Sequence, residues 1–257
     1  MKKLFALITA AVAASAILPA LADTWTDPST GIEWTYTVSG NEATIYKGTS
    51  EPAIPESTSG AIAVPSSING KTVTAIGGHA FYQCYKITTV TIPNTVKYIG
   101  PGAFRRCLGL ENMTIPASVT NIGASVFHSC TNMTSVVINA PLKEIPVSAF
   151  SWCDSLVDIN IPNSVTNVDD HAFDGCVGLV SLTLPQGLAR IGNRAFVACL
   201  KLESINIPAS VRTIDEGAFY ECYRLAGPIE IPEGVTAVKD SLFRGCRALL
   251  GSPFRRP

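Results

Sequence analysis

The chain has 257 residues, of which 47% are hydrophobic and 15% charged, with a formal net charge of −1 and a pI near 6.3. That composition supplies ample core and excludes a disordered, highly solvated chain. There is no basic stripe or acidic tail, so nucleic acid finds no electrostatic footprint and is not an expected partner.

Residues 1–22 read as a secretory signal peptide. Lys2 and Lys3 give a positive start, Leu4 to Leu18 is apolar apart from Thr9 and Ser15, and Ala20, Leu21 and Ala22 form a small-x-small cleavage pattern. A membrane anchor is the alternative, but the run is shorter than the roughly 20 residues a span needs. Cleavage before Asp23 removes two lysines, so the mature charge is −1 − 2 = −3. No second apolar run follows, and no membrane span is expected in the mature chain. The sequence predicts an exported protein that is secreted, periplasmic or on the cell surface.

Residues 23–59 predict an N-terminal β-hairpin cap. Residues 34–38 and 43–46 alternate in polarity around Ser39, Gly40, Asn41 and Glu42, a hairpin signal. Ala61 to Val64, closed by Pro65, is the first repeat strand, and Asn69-Gly70 marks a second turn.

Residues 60–250 are periodic. Phe81, Phe104, Phe127, Phe150, Phe173, Phe196 and Phe219 fall 23 residues apart, and Phe243 follows after 24. Cysteine stands three residues after each: Cys84, Cys107, Cys130, Cys153, Cys176, Cys199, Cys222 and Cys246. Three further on comes an aliphatic residue or Met133, then an apolar-x-apolar-Pro segment such as Val90 to Pro93. A fixed period of this length marks a stacked array, here about eight 23-residue repeats. Ala, Phe, Cys and Leu at i, i+1, i+4 and i+7 predict a short helical or 3-10 segment with one apolar face. Val-x-Ile-Pro predicts a short strand that proline ends. Each coil is too small to bury its own apolar face, so stacking makes the core. Residues 251–257 are a tail of Pro and Arg that either blunts the last coil or leaves it to pair with another chain.

The pattern L-x-x-I-x-I-P-x-x-V-x-x-I-G-x-x-A-F-x-x-C over about residues 60–250 resembles the BspA-like, or Treponema-type, leucine-rich repeats. The resemblance implies an α/β solenoid: a right-handed coil with a parallel sheet on one face and short helical turns on the other. It also implies a secreted or cell-surface role in adhesion to host or matrix proteins. Two departures stand out. Residues 140–146 displace the prolines, predicting an irregular strand edge, and the extra residue near Gly227 predicts a bulge.

Chemistry is sparse. Eight cysteines in an exported protein suggest four disulfides, but one repeat position on an inward face favours a ladder of buried thiols. Cysteines in a line do not surround zinc, and His79, His128 and His171 share no site. Asp169-Asp170 and Asp215-Glu216 sit in turns, where acidic residues initiate helices, and lack a partner base or acid at a shared layer. No catalytic motif, cofactor or metal site is expected.

Surface remains. The outward strand positions Thr89, Thr91, Asn112, Thr114 and Asp158, continued by Asn160, Ser181, Thr183, Ser204 and Asn206, form an array of small polar groups suited to an extended partner. The alternative is a solvated β face. A secondary patch on the turn side would comprise Tyr82, Tyr85, Arg105, Arg106 and Trp152, with Tyr220, Tyr223 and Arg224. The expected function is a non-catalytic, adhesin-like module binding an extracellular or cell-surface protein or glycan. The alternative is an envelope component that self-associates through its C-terminal coil.

Overall fold

The structure, a computed structural model, describes residues 22–48 and 51–249. The signal peptide up to Leu21 and the tail at 251–257 lie outside the described residues. The chain opens with β1 (Asp23–Thr26), β2 (Glu33–Ser39) and β3 (Glu42–Ile45), paired antiparallel in that order. The first coil holds β4 (Gly60–Ala63), β5 (Ser67–Ile68) and β6 (Lys71–Ile76). β5 and β6 join through Asn69 and Gly70, both with positive φ, as a two-residue hairpin turn requires.

Each later coil carries two strands. They are β7 (Ile87–Thr91) and β8 (Tyr98–Ile99), then β9 (Asn112–Ile115) and β10 (Asn121–Ile122), then β11 (Ser135–Ile138) and β12 (Glu144–Ile145). Next come β13 (Asp158–Ile159) and β14 (Asn167–Val168), β15 (Ser181–Thr183) and β16 (Arg190–Ile191), and β17 (Ser204–Asn206) and β18 (Thr213–Ile214). Odd-numbered strands from β7 stack in parallel on a front face, which β4 begins. Even-numbered ones stack on a side face that runs through β6 and β3 into the antiparallel pairs. The result is a β-solenoid of about seven turns, one fewer than the eight repeats expected. Among the described residues the eighth Phe-Cys segment ends at Leu249 without a following strand.

The phenylalanines form one continuous stack. Consecutive rings lie 4.9 to 5.5 Å apart, nearly parallel, from Phe81 to Phe243. Those from Phe81 to Phe219 are fully buried, with the Ala or Val before and the Cys and Leu, Ile or Met after them. At the first coil Trp34 meets Phe81 edge-on at 6.1 Å.

The helical face needs correction. Among the described residues the only helical element is the 3-10 turn Arg247–Leu249. In every coil the residues two before and two after Phe have positive φ: His79 and Gln83, Gly102 and Arg106, Ser148 and Trp152, Arg194 and Ala198. Two left-handed residues four apart stop any right-handed helix between them. Bonding alternates instead. Tyr82 donates to His79 and Cys84 to Phe81 within the coil, while Phe81 donates to Ala103 and Gln83 to Arg105 in the next. The turn face is thus a third ladder between coils.

The side sheet breaks between β10 and β12, where an irregular edge was expected. Gly100 donates to Ile76 and Gly123 to Ile99, but the equivalent residue in the next coil is Pro146, which has no N–H. Where glycine stands at this corner the coils touch: a Cβ on Gly123 would lie 2.3 Å from the Pro101 nitrogen. Gly227 has φ of 82°, matching the extra residue there.

Candidate binding surfaces

On the front face the pleat sends alternate side chains inward and outward. Val90, Met113, Val136, Ile159, Leu182 and Ile205 are buried. The expected positions Thr89, Thr91, Asn112, Thr114, Asp158, Asn160, Ser181, Thr183, Ser204 and Asn206 are all exposed. In-register pairing aligns them in two columns: Thr89 is opposite Asn112 and Ser181 opposite Ser204 in one, Thr183 opposite Asn206 in the other. The face is not one sheet, because β4 to β13 form five strands and β15 with β17 a separate pair. Asn160 is partly engaged in structure. Its Oδ1 accepts from the Ile138 N–H at 2.7 Å and its Nδ2 donates to the Ile138 carbonyl at 3.1 Å, replacing the ladder and shortening β13.

Sequence reasoning passed over β11. Ser135 donates to Asn112 Oδ1 at 2.6 Å, and Val137, 45% exposed, interrupts the second polar column. Val157 and Val180 add exposed apolar groups beside the sheet break. The Val136-Val137-Ile138 run lacks alternation, which hid the outward residue; the position of Val137 in the repeat was the available signal.

The turn-side residues divide. Tyr82 and Tyr85 share the first coil and Arg105 and Arg106 the second, whereas Tyr220, Tyr223 and Arg224 lie on the seventh, with Trp152 alone between. Trp152 is 51% exposed and its ring lies over Gly175. Arg244 and Arg247 cover the Tyr220 and Tyr223 rings at 5.9 and 4.6 Å. No continuous aromatic patch results.

All eight cysteines are buried free thiols, so the ladder stands and the disulfides do not. Each from Cys107 onward donates to the carbonyl of a Phe in the preceding coil, as Cys130 does to Phe104 at 3.1 Å. Burial pushes the Cys84 and Cys153 thiols up to about 12. The histidines stay apart: His128 accepts or donates with Ser129 at 2.8 Å, and His171 faces Asp174 at 3.0 Å. Burial and then the nearby Arg105 lower the pKa of His79 and His128.

The acidic turns do find a partner. Arg190 reaches Asp169 at 3.2 Å, Asp170 at 2.7 Å and Asp215 at 2.7 Å, tying three coils together instead of initiating helices. Among the described residues no group of three or more His, Cys, Asp or Glu could hold a metal ion.

The model of the BspA type leucine rich repeat region matches in six copies over residues 63–177 and 143–252. The crystal structure of the T. pallidum leucine-rich-repeat protein is similar, with 30% identity and a TM-score of 0.64, over 80% of this chain and 88% of that one. A leucine-rich-repeat protein from Bacteroides ovatus shares the fold at 24% identity and a TM-score of 0.59, over 80% of this chain and 59% of that one. A search of the curated proteins finds no match. The chain belongs to the BspA-type leucine-rich-repeat family.

Proposed function

We propose that this chain is an exported, non-catalytic, adhesin-like module that binds an extracellular or cell-surface protein through its front face. The observation that carries the reading is the pair of in-register columns of short, exposed polar side chains on parallel strands. A rigid core holds them at the strand spacing of about 4.8 Å, and small polar groups interleaved with the exposed Val137, Val157 and Val180 suit an extended partner. Residues 1–22 would direct export. Among the described residues no helix is long and apolar enough to cross a membrane. Residues 23–59 would cap the coil, supported by buried Trp34 and Tyr36 against its end.

The test is solid-phase binding of residues 23–257 to extracellular-matrix proteins, mucin and host cells. Saturable binding that Thr114→Lys with Thr183→Lys abolishes, with thermal unfolding unchanged, supports the reading. Binding unaffected by those substitutions rejects the front face. No binding across the panel, with size growing with concentration, favours self-assembly.

A further inference from the structure

The two sheets end differently at the N-terminal side. The side sheet is covered, because β3 pairs in parallel with β6. Among the described residues the front sheet stops at β4, whose only strand partner is β7. Gly60 and Val64 donate to the Lys86 and Thr91 carbonyls, both at 2.9 Å. Ala61 and Ala63, out of phase with them, therefore turn their N–H and C=O groups away from β7. Among the described residues these four groups meet no hydrogen-bond partner. Free strand edges are usually blunted by proline, charge or a covering segment. Here β4 carries none of these, and Ala61 and Ala63 are exposed and small.

The edge opens into a groove of about 650 Å³ between residues 30–32 and β4. At Pro55 it continues into a second groove of about 380 Å³ that holds Glu33, Glu51, Glu56 and Lys47. Residues 23–59 contain six acidic residues and one lysine, a formal charge of 1 − 6 = −5. The remaining mature chain is thus −3 − (−5) = +2.

We infer that the edge of β4 takes an extended basic segment of a partner protein as an added strand. Main-chain bonds to Ala61 and Ala63 supply the attachment, and Lys or Arg side chains of the segment meet Glu33 and Glu56, Glu51 being paired with Lys47 at 2.9 Å. The edge adjoins the front-face columns, since Ala61 and Ala63 pair with Thr89 and Thr91, but it attaches through main-chain groups rather than outward side chains, so the inference survives if the columns bind nothing.

The probe is a short capped peptide alternating Lys and Val, its affinity for residues 23–257 read by fluorescence anisotropy. Controls are the same peptide N-methylated at alternate amides and one with Glu in place of Lys. Only the unmethylated basic peptide should bind, more weakly as salt rises. Ala63→Pro removes just an outward N–H, after an Ile62 already extended, and should weaken binding about tenfold. Glu56→Lys should also weaken it. If Ala63→Pro does not fold, the methylated peptide decides on the unaltered protein. Absence of saturable binding, or equal binding by the methylated peptide or by a folded Ala63→Pro chain, overturns the inference. So does concentration-dependent association of the protein alone that Ala63→Pro abolishes, since a second copy would then occupy the edge.

Discussion

The thiol of Cys153 donates to the carbonyl of Phe127, one coil earlier, at 3.2 Å, and that carbonyl also accepts from the N–H of Cys130. The thiol has a bonding role here, as the second donor to a carbonyl sealed in the core. It follows that the six buried thiols from Cys84 to Cys199 should ignore an aromatic disulfide reagent at neutral pH until the chain unfolds, since burial raises all six and pushes Cys153 up to about 12. Reductant should leave the denaturation midpoint unchanged, and a lowered midpoint would reveal disulfides. Cys153→Ala should cost about 1–2 kcal/mol by loss of one donor and a small void.

Phe150 lies 5.5 Å from Phe127 and 5.4 Å from Phe173, fully buried between them. Coils above and below hold the cavity open, so Phe150→Ala should cost about 3–5 kcal/mol. Phe243, only partly buried, should cost less on the same change. Chemical denaturation of both variants checks the order, and equal losses would mean the stack is not cooperative along its length.

The Phe and Cys periodicity made the stacking direction, the inward set and the front strands readable, because burial depends on spacing alone. The turn face was not readable. Ala103, Phe104 and Cys107 show helical spacing, yet the positive φ of Arg106 breaks the helix, and arginine carries no signal for that conformation. Pro146 did announce an irregular edge, since a missing donor is written in the sequence. Asn160 looked like its outward neighbours Thr114 and Thr183, and only the structure shows its amide folded onto Ile138. The Arg190 cluster joins residues 20 to 25 apart, a range over which charge pairing is invisible in a linear pattern.

The left-handed residues are stabilised from outside. Ala198 has φ of 55° and donates to the Tyr220 carbonyl in the next coil at 2.8 Å. Its Cβ disfavours that conformation by about 1–2 kcal/mol, while glycine brings more entropy to the unfolded chain. Ala198→Gly should therefore raise stability by about 0.5–1 kcal/mol. Ala195→Gly, at a buried position with no positive φ, should lower it. Thermal unfolding of the pair should move in opposite directions, and a shared loss would show that the inter-coil bond does not offset strain at Ala198.

Arg190 sets an acid dependence with opposed parts. Burial works against the Asp170 carboxylate, but the Asn193 N–H and Arg190 overcome it and hold its pKa below the ordinary 3.8. Asp169 goes the other way: burial, then Glu144, raises its pKa despite Arg190. A carboxyl depressed in the native state binds fewer protons there than in the unfolded chain, so its contribution is complete above 3.8 and lost as pH falls through the lower native value. Asp169 contributes with the reverse sign, favouring the native state as it protonates. Asp170→Asn should thus be less stable than the parent at neutral pH, with the gap closing only below 3.8. Asp169→Asn should fare relatively better as pH rises, because it removes a charge that burial opposes. Urea unfolding across the acid range separates the two, and a gap for Asp170→Asn that stays constant with pH would assign Asp170 a packing role alone.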